Sequence, residues 1–97
     1  MIEVEFQTPA DARSDGVVRI VEQVCIDHGL RCSLKGTLAG YPGCIHWHYR
    51  KVRQKGTLEI TWWERENRLW FKVAKGREGA WMEESIAELK EQIENSL

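Results

Sequence analysis

Between positions 57 and 73, apolar residues alternate with polar ones at a period of two, on both sides of a polar break at 64–67. This is the pattern of two half-buried strands, so the segment is predicted to form a β-hairpin. Either a two-residue or a four-residue loop places the apolar residues of both strands on one face. Those residues are Leu58, Ile60, Trp62, Leu69, Phe71 and Val73. The other face is chemically mixed, and a function is expected there.

The same alternation predicts three more strands, at positions 2–6, 30–38 and 44–50. Between the first two, an apolar stripe at helical spacing predicts a helix that ends near Gly29. Its start is either the N-cap pair Thr8-Pro9 or, because Gly16 weakens the early turns, a point near Ser14. A second helix is predicted over 81–95, with Met82, Ile86, Leu89 and Ile93 on one stripe and glutamates facing away.

The predicted order is β-α-β-β-β-β-α within a single α+β domain, residues 1–97. Every strand has one apolar face and each helix has one apolar stripe. The expected architecture is therefore a two-layer sandwich: a five-stranded, mostly antiparallel sheet with both helices on one face. A right-handed crossover would make the first strand run parallel to the second, but the sequence leaves the strand order and the position of the first strand open.

The face that the helices leave uncovered is called the open face here, and it is the predicted binding surface. Its predicted members are Arg31, Lys35, Cys44, His46, His48, Arg50, Glu59, Thr61, Trp63, Arg68, Trp70 and Lys72. The candidate binding residues among them are His46, His48, Arg50, Trp63, Arg68, Trp70 and Lys72. Two tryptophans on a surface facing water are usually covered, and a loop, a second copy of the chain or a ligand would each cover them.

Composition narrows the class of protein. With 42% hydrophobic and 30% charged residues in 97, the chain can bury a core. The acidic N-terminal segment, with Glu3 and Glu5 and no long apolar run, predicts neither a signal peptide nor a membrane span. Three cysteines are an odd number, which favours reduced thiols and a cytoplasmic location.

Charge is segregated along the chain. Residues 45–77 hold nine Lys and Arg against three Glu, whereas residues 78–97 hold one Lys against six Glu. A basic sheet interleaved with tryptophan and histidine is the combination that binds single-stranded nucleic acid, which makes this the alternative function. An overall pI near 6.3 and the lack of an RNA-binding motif argue against it.

The segment Cys44-x-His46-x-His48 is the clearest chemical constellation. A spacing of two along a strand places all three side chains on one face, where they could converge on a transition metal with some twist and a fourth ligand. A metal- or thiol-dependent enzyme at these residues is therefore the second alternative. The sequence has no Gly-rich phosphate loop, GxSxG, CxxC or HExxH motif, so catalysis and a cofactor are not the favoured expectation.

The function that the sequence favours is that of a small cytoplasmic binding domain acting through its open face. The expected partners are a second copy of the chain, in a homodimer that hides Trp63 and Trp70, or another protein or peptide.

Overall fold

The computed structural model describes residues 2–97 and confirms the predicted α+β sandwich. The elements are β1 (Ile2–Glu5), α1 (Ser14–Asp27), β2 (Leu30–Gly36), β3 (Ile45–Lys51), β4 (Leu58–Trp63), a 3₁₀ turn (Glu64–Glu66), β5 (Arg68–Val73) and α2 (Met82–Ser96). The five strands form one sheet, and every neighbouring pair is antiparallel.

The strand order is β1-β5-β4-β3-β2. The four strands from β2 to β5 form the predicted meander, and β1 adds to the far side of β5. Four successive antiparallel pairings give β1 and β2 the same direction, as predicted, but place them at opposite edges of the sheet. The segment that contains α1 therefore crosses the whole width of the sheet.

The core lies between the sheet and the two helices. All six apolar residues of the predicted hairpin face are at most 1% exposed, as the alternation predicts. Trp47 and Tyr49 of β3 extend this surface, and Val21 of α1 and Leu89 of α2 pack onto it. Burying a side chain of this size contributes roughly 1.5–3 kcal/mol, so this layer supplies most of the driving force for folding.

A β-bulge in β2 changes which side chains face the core. Cys32 pairs with Tyr49 and Leu34 pairs with His48, so Ser33 is an extra residue in the ladder. Beyond an extra residue the alternation of faces is reversed. The alternation over 30–38 predicts that Leu34 faces the core together with Leu30. This prediction is wrong, because beyond the extra residue Leu34 lies opposite His48 on the open face and is 46% exposed.

The bulge also moves Lys35 to the side that α1 covers, where it lies opposite Trp47. Its Nζ is 2.6 Å from Oε2 of Glu22, and the same oxygen accepts a hydrogen bond from Nε1 of Trp47 at 3.0 Å. Burial opposes ionisation of Glu22, but the hydrogen bonds from Lys35 and Trp47 hold its pKa below the usual value. The prediction that Lys35 lies on the open face is wrong, because Glu22 offers it a partner on the other side.

α1 begins at Ser14, the later of the two predicted starts. The Thr8-Pro9 pair does not cap it. Instead the Thr8 hydroxyl donates to the carbonyl of Asn67, and the Asn67 amide donates to the carbonyl of Pro9. These two hydrogen bonds join the hairpin turn to the segment before α1. Asn67 itself has a left-handed backbone conformation with φ of 50°.

α2 buries Met82, Ile86, Leu89 and Ile93, the predicted stripe. Its other face is strongly acidic, with two glutamates in the first turn, where the helix dipole favours them. Within residues 2–97, neither helix combines the length and the apolar character that crossing a bilayer requires.

The segment that leads into α2 packs against the connection between β3 and β4. The Thr57 N–H donates to the carbonyl of Arg77, and Nε1 of Trp81 donates to the carbonyl of Lys55, both at 2.9 Å. A Cβ atom placed on Gly79 would lie 1.9 Å from that Lys55 oxygen. Only glycine permits this approach, which holds residues 74–79 beside the end of β4.

Gly79→Ala is expected to destabilise the protein by about 3 kcal/mol, because the new methyl group meets backbone that cannot move aside. Gly40→Ala is the matched control: its Cβ would have no atom within 4 Å, and the change should stay within about 0.5 kcal/mol. Urea unfolding of both variants measures the difference. Equal stability of the two variants would contradict the close approach.

Candidate metal centre

The pairing of the strands arranges the open face in rows that cross the sheet. One row contains Glu5, Trp70, Thr61, His46 and Gly36, and the next contains Glu3, Lys72, Glu59, His48 and Leu34. His46 and His48 are therefore neighbours along β3, and Glu59 of β4 lies directly opposite His48. The three side chains meet where the two central strands pair.

His46, His48 and Glu59 bring one ligand atom each to a common point, all within 4.8 Å of one another. The two histidine Nε2 atoms are 3.0 Å apart. Oε1 of Glu59 is 3.5 Å from Nε2 of His46 and 4.0 Å from Nε2 of His48. Two imidazoles and a carboxylate are ligands that divalent transition metals prefer.

The hydroxyl of Thr61 orients the ring of His46. Its Oγ1 is 2.8 Å from Nδ1 of His46, and both side chains are buried. With the proton on Nδ1 and donated to Thr61, Nε2 keeps its lone pair and points it at His48 and Glu59. A hydrogen bond to the second ring nitrogen is the usual way in which proteins fix the tautomer of a metal-binding histidine.

Burial lowers the pKa of His46, and the neighbouring His48 lowers it further. The carboxylate of Glu59 opposes this shift, and the charge of Lys72 adds to it. His46 is therefore neutral at neutral pH, which is the form that binds a metal ion.

The three side chains form the floor of a groove of about 550 Å³. Residues 34–38, at the end of β2 and just after it, also line the groove, as do Ala74 and Arg77 from the segment that precedes α2. The side chains of His46, Glu59 and His48 are 5%, 16% and 21% exposed. The ligand atoms are thus largely screened from water but open to the groove.

Cys44, which the sequence grouped with the two histidines, lies apart from this cluster. It is buried, and its Sγ accepts a hydrogen bond from the N–H of Leu38 at 3.3 Å. Glu59 supplies the third ligand atom instead. Alternation along β4 predicts Glu59 on the open face, but only the register between β3 and β4 sets it opposite His48.

Of the two tryptophans of the open face, Trp70 is buried by the chain itself and Trp63 is half-buried. The ring of Tyr41, in the β2–β3 connection, lies 5.0 Å from Trp63 and 5.4 Å from Trp70. Nε1 of Trp63 donates to the carbonyl of Pro42 at 2.9 Å, and Trp70 is only 5% exposed. A homodimer is therefore not required to remove Trp70 from water, and self-association stays a prediction.

The basic binding candidates are spread over the sheet. Arg68 lies over the ring of Trp70 at 4.2 Å and forms an ion pair with Glu5, whose hydrogen bond raises the pKa of the guanidinium. Lys72 lies opposite Glu59 in the row of His48. Arg50 is exposed at the other end of β3. Of the seven candidates, only His46 and His48 converge on one point.

Comparison of this chain with protein-family models, with curated proteins and with solved structures found no match. The function is therefore inferred from the chemistry of the site alone.

The lowered pKa of His46 predicts how the metal-free protein responds to acid. Below pH 6.5, roughly the ordinary histidine pKa, the unfolded chain takes up this proton while the folded chain does not. The free energy of unfolding should therefore fall as the pH drops from 6.5 to the lowered pKa, and this contribution should end below it. The measurement is urea unfolding in the presence of a chelator at several pH values.

His46→Gln removes the titrating ring and should flatten this part of the pH profile. If the His46→Gln profile follows the wild-type profile, the burial of a neutral His46 is refuted.

Proposed function

We propose that this protein is a small binding domain that holds a divalent transition metal ion of the zinc type on its open face, through His46, His48 and Glu59. The observation that carries the proposal is the convergence of their three ligand atoms. Around a tetrahedral zinc ion with bonds of about 2.0–2.1 Å, neighbouring ligand atoms are roughly 3.4 Å apart. The separations of 3.0, 3.5 and 4.0 Å surround this value, so small rotations of the side chains would complete the site.

The donor set favours a transition metal over magnesium or calcium. Those two ions prefer oxygen ligands alone, whereas two imidazole nitrogens and one carboxylate suit zinc, iron or cobalt. The metal would also replace the proton that the two histidines share, since Nε2 of His48 must be the donor when Nε2 of His46 carries the lone pair.

Three protein ligands leave a fourth position, which faces the groove. Such a position holds a water molecule or a ligand in catalytic zinc sites, where the ion lowers the pKa of the bound water. Metal-dependent hydrolysis is therefore the second candidate function, supported by the three-ligand donor set and its opening to the groove. A cytoplasmic location fits both functions, because Cys25, Cys32 and Cys44 are free thiols.

Glu59→Gln keeps the size of the side chain and removes its charge, and should weaken zinc binding by about 100-fold or more. Loss of a ligand should cost at least as much as loss of a residue that only orients one, which costs about 10- to 100-fold. Isothermal titration calorimetry of zinc should show one ion per wild-type chain. Glu66→Gln, on the exposed 3₁₀ turn, is the matched control and should bind like the wild type.

The cobalt complex identifies the ligands. With nitrogen and oxygen ligands only, its absorption spectrum should lack a sulfur-to-metal charge-transfer band. Such a band would show that a cysteine thiolate is a ligand and that the proposed donor set is wrong. Protein that binds neither zinc nor cobalt at neutral pH would refute the function itself.

Thr61→Val replaces the hydroxyl that orients His46 with a methyl group of similar size. The expected result is a 10- to 100-fold weaker zinc affinity in a protein that still folds, because the ring loses its hydrogen bond but keeps its packing. Thr61→Ser retains a hydroxyl and should recover most of the affinity. Equal affinity of the Val and Ser variants would show that this hydrogen bond does not orient the ligand.

A further inference from the structure

A second groove, of about 630 Å³, lies at the end of the sheet where β2 and β3 meet the turn after β3. It is called the basic groove here. Four of its lining residues are cations, Arg31, Arg50, Lys51 and Arg53, and none of its lining residues is acidic. It shares no lining residue with the groove of the metal centre.

Most Lys and Arg residues of the described chain form no salt bridge, and the four cations of the basic groove are among them. Within residues 2–97, none of the four forms a salt bridge, whereas Lys35, Arg68 and Lys90 pair with Glu22, Glu5 and Glu94. The charge of the basic groove is therefore not neutralised within the described chain. Such a concentration of one sign attracts a ligand of the opposite sign.

The pairing of β2 with β3 brings two of these cations together, which is unfavourable without a ligand. Arg31 and Arg50 are direct cross-strand partners. Like charges in this position repel each other and destabilise a sheet. A bound anion between the two guanidinium groups would turn that repulsion into a pair of favourable contacts.

The turn after β3 adds the other two cations. The N–H of Gln54 donates to the carbonyl of Lys51 at 3.0 Å and closes the turn. Arg53 within it has a left-handed backbone conformation with φ of 63°, which is uncommon for a residue other than glycine. This conformation places Arg53 in the lining of the basic groove with Lys51.

We propose that the basic groove binds the phosphate backbone of a nucleic acid strand without reading its sequence. Three of the four cations are arginines, whose planar guanidinium groups fit phosphate with two parallel hydrogen bonds. The lining contains no aromatic ring on which a base could stack, so charge is the property that is recognised. Trp63 and Trp70, the aromatic residues predicted from the sequence, contact Tyr41 at another part of the face and do not line this groove.

The test is fluorescence anisotropy of a labelled oligothymidylate strand at several salt concentrations, with a chelator present to exclude the metal centre. Four phosphate contacts on a single strand predict a slope of log K against log salt of about −2.8. Arg50→Gln and Arg53→Gln should each weaken binding and make the slope shallower by about 0.7. Arg19→Gln removes an exposed arginine on α1 and should change neither quantity.

Thermal unfolding shows whether weaker oligonucleotide binding by a variant comes from a loss of folded protein. Arg50→Gln removes the like-charge pair with Arg31, so its melting temperature should equal or exceed that of the wild type while its binding falls. Absence of salt-dependent binding, or equal affinities for Arg50→Gln and Arg19→Gln, would overturn the proposal. Sedimentation with vesicles of anionic lipid is the comparison arm, and binding to vesicles but not to the oligonucleotide would overturn it as well.

Discussion

The register between β3 and β4 is set by the side chains on the buried face of the sheet. Trp47 pairs with Ile60 and Tyr49 with Leu58, and all four are at most 2% exposed beneath the helices. A slip of one residue would turn these side chains to water, and a slip of two would break their packing. The same register brings Glu59 opposite His48 on the other face, so the core determines the geometry of the candidate metal centre.

The open face is divided into parts with different surroundings. At one part, Tyr41 and Pro42 of the β2–β3 connection contact Trp63, and Tyr41 also contacts the buried Trp70. In the middle, His46 is buried but still lines the groove of the metal centre, and the buried hydroxyl of Thr61 lies within hydrogen-bond distance of its ring. A polar pair in such a place is tolerated because each group bonds the other, and it gives a rigid base for a ligand.

The basic residues fall into two groups that the sequence does not distinguish. Lys35 and Arg68 are held by carboxylates on neighbouring elements, so their charges serve the packing of the fold. Arg31 and Arg50 instead face each other across a strand pair. Three of the nine Lys and Arg residues in 45–77, Arg50, Lys51 and Arg53, therefore meet Arg31 at one end of the sheet. This distribution explains how a protein with a net charge of −1 can present a strongly basic site.

Local alternation by itself determined the fold class, the two helices and the buried side of the hairpin, because a period of two or of 3.6 is a property of consecutive residues. Leu58, Ile60 and Phe71 were predicted to be buried for this reason, and they are. Pairing between distant strands was decided only in the tertiary structure. This pairing placed β1 next to β5. It also includes the bulge at Ser33, which turns Lys35 toward Glu22. Finally, it made Glu59, and not Cys44, the neighbour of the two histidines. These outcomes depend on contacts between segments far apart in the chain, and a pattern read along consecutive residues contains no information about them.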